Sequence, residues 1–288
     1  TRPASLPAPP HPVVANGSGA TEPETGGERA GLGIGGRRLS PFVGREGEMA
    51  LVIERLAQVR GGRGHVVGIV GEPGAGKSRL LHELRERLLP EKVRYLEGRC
   101  IASGMAVPYL PVIDLLRRDW GIGEGEPAET VVISVRERAR EGGVGPEAVP
   151  YLLRLLGIRD PSDALGKQSP EMIKRRTFDA LRALILGHAQ QRPMVLAVED
   201  LHWVDRTSEE LLGSLVDGLA GSRALMVTTY RPGYRPPWID RSYATQLSLP
   251  PLSVEDSLTV ARSVLAGDGR RVGLAAEIVE RAGGNPFF

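Results

Sequence analysis

The chain has little of several residue types that mark particular protein classes. Its 288 residues include one cysteine, Cys100, so no disulfide can form within the chain. A single thiol suits a reducing compartment, and we expect the protein to be cytoplasmic. Cys100 ends a predicted strand, which favours a buried structural thiol over a nucleophile. The five histidines show no metal-ligand spacing, and aromatic residues make up only 5% of the chain.

Net charge and long apolar runs are also scarce. The formal net charge is +2, so nothing draws the whole chain to nucleic acid or to an anionic membrane. No uninterrupted apolar stretch approaches the ~20 residues of a membrane-spanning helix. We therefore expect neither direct nucleic-acid binding nor a membrane association. The remaining composition, 41% hydrophobic and 25% charged, is typical of a globular protein with one large domain or two modest ones.

Residues 1–40 have the composition of a disordered linker. Five prolines lie within the first twelve residues, and a Gly-, Glu- and Thr-rich run follows. Such a segment cannot bury enough apolar surface to offset the entropy of ordering it. The chain also begins without methionine and stops within an apolar sequence. We therefore expect further protein on both sides of it.

The strongest motif is a glycine-rich loop that is typical of phosphate binding. It matches the pattern G-x-x-x-x-G-K-[ST] with Gly71, Glu72, Pro73, Gly74, Ala75, Gly76, Lys77 and Ser78. An apolar, β-branched run at 65–70 precedes it, and an amphipathic helical pattern at 79–88 follows it. A strand, a glycine loop and a helix in this order are the context that the motif requires.

The chemistry of this loop follows from its geometry. Glycines let the backbone turn tightly and direct its N–H groups at phosphate oxygens. The N-terminus of the following helix adds a favourable dipole. Lys77 is expected to reach the β- and γ-phosphates, and the Ser78 hydroxyl is expected to bind Mg²⁺. Arg79 is assigned to nucleotide binding as well, so ATP or ADP and Mg²⁺ are the predicted cofactors.

Two further strands are predicted to deliver polar groups to the same place. The apolar run at 194–198 ends in Glu199 and Asp200, and the run at 224–227 ends near Thr229 and Arg231. Glu199 is expected to hold Mg²⁺, and Asp200 to orient or deprotonate an attacking water. Thr229 and Arg231 are expected to sense the γ-phosphate. The alternative for the two carboxylates is an ordinary strand end that caps a helix.

Strand and helix patterns alternate along the rest of the chain. The predicted strands lie at 93–100 and 246–249, and the predicted helices lie at 112–120, 130–141, 147–156 and 171–190. Thr207 and Ser253 have the sequence context of residues that begin helices, and Gly283 that of a residue that ends one. Repeated strand–helix units predict an α/β fold with a parallel sheet between layers of helices.

Four short sequences, in a fixed order, resemble the signatures of a known family. Residues 42–46, the glycine loop, residues 198–205 and residues 284–288 are similar to those of the signal-transducing P-loop NTPases. These are the STAND branch of the AAA+ superfamily, in the version called the Orc1-like AAA ATPase domain. The resemblance implies a three-layer P-loop NTPase sandwich with a central parallel sheet over 41–250. It also implies the start of a helical lid subdomain, truncated, over 251–288.

The resemblance also implies how the base is held. Val43, Gly44 and Arg45 would flank the adenine, and Pro286 of the lid would pack on it. These positions offer apolar packing and backbone groups rather than an aspartate directed at a guanine edge, so we expect ATP rather than GTP. Many relatives have Asp where this chain has Glu199.

A closer resemblance is to the ATPase module of bacterial multidomain class III adenylate/guanylate cyclases. It depends on residues 98–100, 107–111, 169–171 and 228–238. In those proteins a cyclase domain precedes the module and tetratricopeptide-like helical repeats follow it. The resemblance therefore implies such flanking domains as partners, although cyclase activity cannot be assigned to these residues.

The sequence favours an ATP-dependent regulatory switch with slow hydrolysis. The alternatives are a fast motor or origin-binding remodelling ATPase, the ATPase module of a LuxR-type transcriptional regulator, a small-molecule kinase, and a scaffold that does not hydrolyse ATP. A kinase would need an arginine-rich lid, and an origin-binding protein a basic appendage. Neither is evident in the sequence, and whether nucleotide drives oligomerisation stays open.

Overall fold

The computed structural model describes residues 40–105, 107–123, 125–159, 165–265 and 274–286. The predicted linker at 1–40 lies outside the described residues except for Ser40, so its disorder stays a prediction. Within the described part of the chain, no helix is both long and apolar enough to cross a membrane.

Five strands form one parallel sheet at the centre of the described chain. They are β1 (His65–Val70), β2 (Arg94–Arg99), β3 (Met194–Glu199), β4 (Ala224–Tyr230) and β5 (Ala244–Ser248). Their order across the sheet is β2-β3-β4-β1-β5, and every neighbouring pair is parallel. β3 and β4 are buried along their whole length, which is why residues 194–198 and 224–227 are continuously apolar rather than alternating.

Helices cover both faces of this sheet. The described ranges contain α1 (Glu46–Arg60), α2 (Lys77–Leu88), α3 (Leu110–Trp120), α4 (Ala128–Glu141), α5 (Val149–Leu155), α6 (Pro170–Gln191), α7 (Arg206–Asp217), α8 (Val254–Leu265) and α9 (Ala275–Ala282). One apolar cluster joins a strand face to α1 and α2, and a second joins the other face to α3 through α7. Successive residues such as Val195 and Leu196 belong to different clusters, because side chains alternate across a strand. The predicted three-layer α/β sandwich is confirmed.

Most of the predicted helices are present, but one begins at a different residue. The sequence predicts that Thr207 begins α7, yet the helix begins at Arg206 and Asp205 is its N-cap. The Asp205 carboxylate accepts hydrogen bonds from the N–H groups of Thr207 and Ser208, both at 3.0 Å. A carboxylate serves this position as well as a hydroxyl does, so the capping role belongs to a residue two positions earlier.

The two later helix signals are confirmed. The Ser253 hydroxyl accepts a hydrogen bond from the Asp256 N–H at 3.0 Å, at the start of α8. Gly283 follows α9 in the left-handed conformation, with φ 56°, as a glycine at a helix C-terminus commonly does. Residues 266–273, between the two helices, and 287–288 lie outside the described residues.

The topology places several chain segments at one edge of the sheet. Because all five strands are parallel, their carboxyl ends lie on the same side, where open α/β sheets bind ligands. β1 leads into the glycine loop there, β3 ends at Glu199, and β4 leads towards Arg231. β1 and β3 both pair with β4, so three segments that are far apart in sequence meet at this edge.

Candidate nucleotide-binding site

The glycine loop has the backbone geometry of a phosphate cradle. Gly74 and Gly76 adopt φ values of 83° and 94°, in the left-handed region that favours glycine. α2 begins directly after Gly76, at Lys77. A Cβ added at Gly76 would meet no atom within 4 Å. Glycine is therefore favoured at this position by its backbone conformation and not by a lack of space. The loop therefore presents backbone N–H groups beside a helix N-terminus, which is suited to an anion.

Lys77 is held against the loop that it follows. Its side chain is 8% exposed, and Nζ donates hydrogen bonds to the carbonyl oxygens of Gly71 and Glu72 at 2.7 and 2.9 Å. Burial lowers the Lys77 pKa, and the nearby Asp200 carboxylate opposes that shift. An ammonium has three donors, so two orient the side chain and the third can bind a phosphate oxygen.

Ser78 and Glu199 place a hydroxyl and a carboxylate in direct contact. The Ser78 hydroxyl donates a hydrogen bond to Oε2 of Glu199 across 121 residues of sequence. Burial raises the Glu199 pKa, and the hydrogen bond from Ser78 opposes the rise. Among the described residues, no group of three or more His, Cys, Asp or Glu side chains could hold a metal by itself. A hydroxyl and one carboxylate fit Mg²⁺, which is commonly bound by one or two protein ligands together with substrate phosphates and water.

Asp200 has an unusual backbone and a charged partner. Its φ of 58° is left-handed for a residue other than glycine, and it immediately precedes the 3₁₀ turn Leu201–Trp203. The Arg99 guanidinium donates from Nε and Nη2 to Asp200 Oδ2 at 3.2 and 3.1 Å. This contact engages one carboxylate oxygen and leaves Oδ1 for a different donor.

Residues 73–78, Arg99 and Asp200 line one cleft of about 620 Å³, whereas Glu199 is not part of its lining. The predicted site residues in its lining are Val43, Arg45, Pro73, Gly74, Ala75, Gly76, Lys77, Ser78, Arg79, Asp200, Arg231 and Pro286. Phe42, Arg99, Leu252 and Val260 line it as well. The lining therefore combines the glycine loop and charged side chains with apolar side chains such as Val43 and Pro286.

Residues 41–227 match the AAA ATPase domain family, which is well over half of the chain. The chain belongs to this family. An uncharacterized protein of Rhizobium meliloti (strain 1021) is 32% identical over 222 residues, which cover 77% of this chain and 22% of that protein. The chain thus spans about a fifth of the length of this relative.

Several solved structures are similar to this AAA ATPase domain at low identity. One is a signal transduction ATPase with numerous domains, or STAND protein, with a tetratricopeptide repeat sensor from Pyrococcus horikoshii. It has 17% identity and a TM-score of 0.43, over 87% of this chain and 29% of that chain. Another is the Drosophila ORC bound to DNA, with 14% identity and a TM-score of 0.44, over 84% of this chain and 52% of that chain. A third is the E. coli MS115-1 HORMA:CdnC:Trip13 complex, with 11% identity and a TM-score of 0.45, over 83% of this chain and 74% of that chain.

The predicted base-binding segment of the AAA ATPase domain also connects the glycine loop to the start of α8. Arg45 is 5% exposed, and its Nη2 donates to the carbonyl oxygens of Ala75, at 3.3 Å, and Pro250. It therefore connects the glycine loop to the segment that enters α8. Gly44 has φ 69°, and a Cβ there would lie 2.5 Å from Oδ2 of Asp256. The backbone at residue 44 must be glycine for this segment to approach the first turn of α8.

The lid contacts the glycine loop directly. Nδ2 of Asn285 donates a hydrogen bond to the Pro73 carbonyl oxygen at 2.9 Å. The Leu252 N–H donates to the Gly284 carbonyl oxygen at 2.8 Å, which connects the two ends of the α8–α9 segment. Pro286 lines the cleft, and its contact with adenine stays a prediction. None of these lid hydrogen bonds has a spacing signal in the sequence.

Thr229 lies near the end of β4, and its side chain is fully buried. Its hydroxyl accepts a hydrogen bond from the Asp200 N–H at 3.0 Å, which fixes the left-handed turn at Asp200. The predicted contact between Thr229 and nucleotide stays a prediction.

Two residues at the cleft, Arg99 and Trp203, have no site role in the sequence prediction. Arg99 lies opposite Glu199 in the β2–β3 register, so its place at the active edge depends on strand order. Trp203 lies in the 3₁₀ turn Leu201–Trp203, and the Arg231 guanidinium carbon is 5.8 Å from the centre of its ring. The sequence signal that could have identified Arg99 is a basic residue at the end of a predicted strand.

Proposed function

We propose that this chain binds Mg-ATP in the cleft and hydrolyses it slowly, as the regulatory module of a larger signalling protein. The observation that carries the proposal is the contact between Ser78 and Glu199 beside the buried Lys77. It unites the phosphate loop with the strand that supplies the carboxylates. Membership of the AAA ATPase domain family supports nucleotide as the ligand.

The phosphates would be bound by the loop and Lys77. The N–H groups of the loop and of the first turn of α2 would donate to phosphate oxygens, and Lys77 would contribute its free donor. Ser78 and Glu199 would hold Mg²⁺, which neutralises charge on the phosphates. Charge-assisted contacts of this kind are the strongest hydrogen bonds available to a protein.

Asp200 would orient the attacking water and accept its proton. Its Oδ2 is held by Arg99, so Oδ1 is the oxygen that can face a water molecule. The same ion pair supports slow turnover, because a carboxylate held by a guanidinium is less free to turn towards an attacking water. Activity would then depend on how firmly Arg99 holds Asp200.

Regulation would come from the lid. Arg231 and the glycine loop belong to the sheet side of the cleft, whereas Pro286 and Asn285 belong to the lid. A nucleotide that contacts both would hold the lid closed, and loss of the γ-phosphate would remove the contact to Arg231. ATP and ADP can shift the lid only if they bind its two positions unequally.

This proposal predicts different hydrogen exchange in the lid with different nucleotides. Amides of 251–265 and 274–286 should exchange more slowly with a non-hydrolysable ATP analogue than with ADP, because the analogue also engages Arg231. α4 (Ala128–Glu141) is the internal control, since it contributes no residue to the cleft lining. Identical lid protection in both states would mean that the chain binds nucleotide without switching.

We further propose that the longer protein passes this lid motion to flanking domains. The resemblance to cyclase-linked modules favours a cyclase-like domain before the chain and helical repeats after it, in a cytoplasmic protein. The alternative is the ATPase module of a LuxR-type regulator. The domains encoded beside this chain in its complete reading frame distinguish the two.

A further inference from the structure

Trp203 lies beside the nucleotide cleft with its ring against a cleft residue. The Arg231 guanidinium carbon is 5.8 Å from the centre of the Trp203 ring, within the range of a cation–π contact. Trp203 is half-buried, whereas Arg231 is exposed. Because Arg231 lines the cleft in this same arrangement, the ring holds the guanidinium where a ligand would arrive.

The turn that carries Trp203 is fixed to the candidate catalytic carboxylate. The Trp203 N–H donates to the Asp200 carbonyl oxygen at 2.9 Å, and the Val204 N–H donates to Leu201 at 3.0 Å. The Asp200 N–H in turn donates a hydrogen bond to the hydroxyl of Thr229, which lies two residues before Arg231. Trp203, Asp200 and the end of β4 therefore form one connected unit.

Arg231 itself begins a loop that is anchored further along. The Tyr234 hydroxyl donates to Oε1 of Glu209 at 2.6 Å, and Trp238 is 3% exposed with its ring near Gly213 of α7. Within the described ranges, Arg231 takes part in no salt bridge, although Arg235 in the same loop pairs with Asp240. The aromatic face is thus the contact that defines where the Arg231 side chain lies.

The electrostatics of the cleft favour an anion beside Arg231. Lys77 and Arg231 both line the cleft, where the Asp200 carboxylate is paired with Arg99. Two like charges in one cleft are relieved by a bound anion. A γ-phosphate beside Arg231 would supply that charge, whereas ADP has no phosphate group at that position.

We propose that Trp203 is a positioning residue that orients Arg231, through a cation–π contact, for the γ-phosphate of ATP. This inference rests on the proposed function and deepens it, because it assigns the discrimination between ATP and ADP to a residue pair. A free arginine side chain loses considerable rotamer entropy when it binds. A guanidinium already held on an aromatic face loses less, so Trp203 improves ATP binding without touching the nucleotide.

Calorimetric titration of four single variants tests the pair, with a non-hydrolysable Mg-ATP analogue and Mg-ADP as ligands. Trp203→Leu should weaken binding of the analogue by about three- to tenfold and leave ADP affinity unchanged. Trp203→Phe, which keeps an aromatic face, should stay within about twofold of the wild type. Arg231→Leu should weaken binding of the analogue at least as much as Trp203→Leu does. The double variant with both substitutions should bind the analogue no more weakly than Arg231→Leu alone. Arg235→Leu is the matched control and should change neither affinity.

Tryptophan emission supplies a second readout in protein that has no substitution at Trp203. The analogue should change the emission of the wild type more than ADP does, and Arg231→Leu should remove that difference. The other two tryptophans, Trp120 and Trp238, are almost fully buried, so Trp203 is the one expected to respond. This measurement remains decisive if Trp203→Leu fails to fold.

Two results would overturn the inference. If Trp203→Leu weakens binding of the ATP analogue and of ADP equally, the ring has only a structural role. If the losses of affinity from Trp203→Leu and Arg231→Leu add up in the double variant, the two residues act independently. Lys77→Ala separates this failure from that of the proposed function. If Lys77→Ala sharply weakens binding while Trp203→Leu leaves the ratio of ATP to ADP affinity unchanged, only the role of Trp203 is wrong.

Discussion

Replacing Lys77 with alanine should lower the affinity for Mg-ATP by about tenfold to a hundredfold. A charge-assisted contact to phosphate contributes ~1.5–3 kcal/mol, and Lys77 is the buried cation held inside the loop. The fold should persist, because truncation removes two hydrogen bonds to loop carbonyls and leaves the sheet and its helices intact. Calorimetric titration measures the affinity, and thermal unfolding checks the fold.

Lys92→Ala is the matched control for this experiment. Lys92 is exposed in the turn that follows α2 and lies away from the cleft lining, so its removal should leave ATP affinity unchanged. If Lys77→Ala binds Mg-ATP as tightly as the wild type does, the loop is not the phosphate site. Loss of affinity in both variants would indicate a general charge effect instead.

Asp200→Asn should keep ATP affinity within about twofold and lower turnover by about a hundredfold or more. The amide preserves the shape of the side chain but cannot accept the proton of water, and general-base catalysis typically contributes roughly 10²–10⁴-fold. The wild type should itself be slow, at less than about one turnover per second. Phosphate release under saturating Mg-ATP measures both rates.

The substitution at Asp200 also removes the charged partner of Arg99, so the fold needs a control. Asp217→Asn breaks a surface ion pair with Arg241 and should leave both turnover and affinity unchanged. Thermal unfolding of Asp200→Asn should resemble that of the wild type, because exposed ion pairs contribute little to stability. Equal phosphate release by Asp200→Asn and the wild type would remove Asp200 from the mechanism.

The parts of the site that could be predicted depend on local sequence. The glycine loop is contiguous, and its spacing with Lys77 and Ser78 determines its geometry, so the cradle is recognisable from the amino-acid sequence alone. Glu199 and Asp200 follow a continuous apolar strand, which locates them at the carboxyl end of a parallel sheet. Both predictions required only the periodicity of the chain and the chemistry of its ends.

The parts that escaped prediction depend on which strands are neighbours. Arg99 contacts Asp200 because β2 lies beside β3 in the sheet, although the two residues are 101 positions apart in sequence. Strand order is not encoded in any local pattern. The hydroxyl of Thr229 had several partners available by sequence, and packing at 0% exposure selected the Asp200 N–H.

The lid illustrates a third limit. The capping residues of α8 and α9 were predictable from short-range signals, but the hydrogen bond from Asn285 to Pro73 spans 212 residues. Such a contact depends on the orientation of the lid against the sheet. The proposed switch would have to change this contact, because it joins the glycine loop to the predicted lid.

Titration of the wild-type chain with Mg-ATP, in competition with Mg-GTP, tests the central claim most directly. Val43 and Pro286 line the cleft and are proposed to pack on the base, so one ATP analogue per chain should bind saturably and GTP should compete weakly. Omitting Mg²⁺ should weaken the binding. Absence of saturable binding, or binding of GTP as tight as that of ATP, would contradict the account.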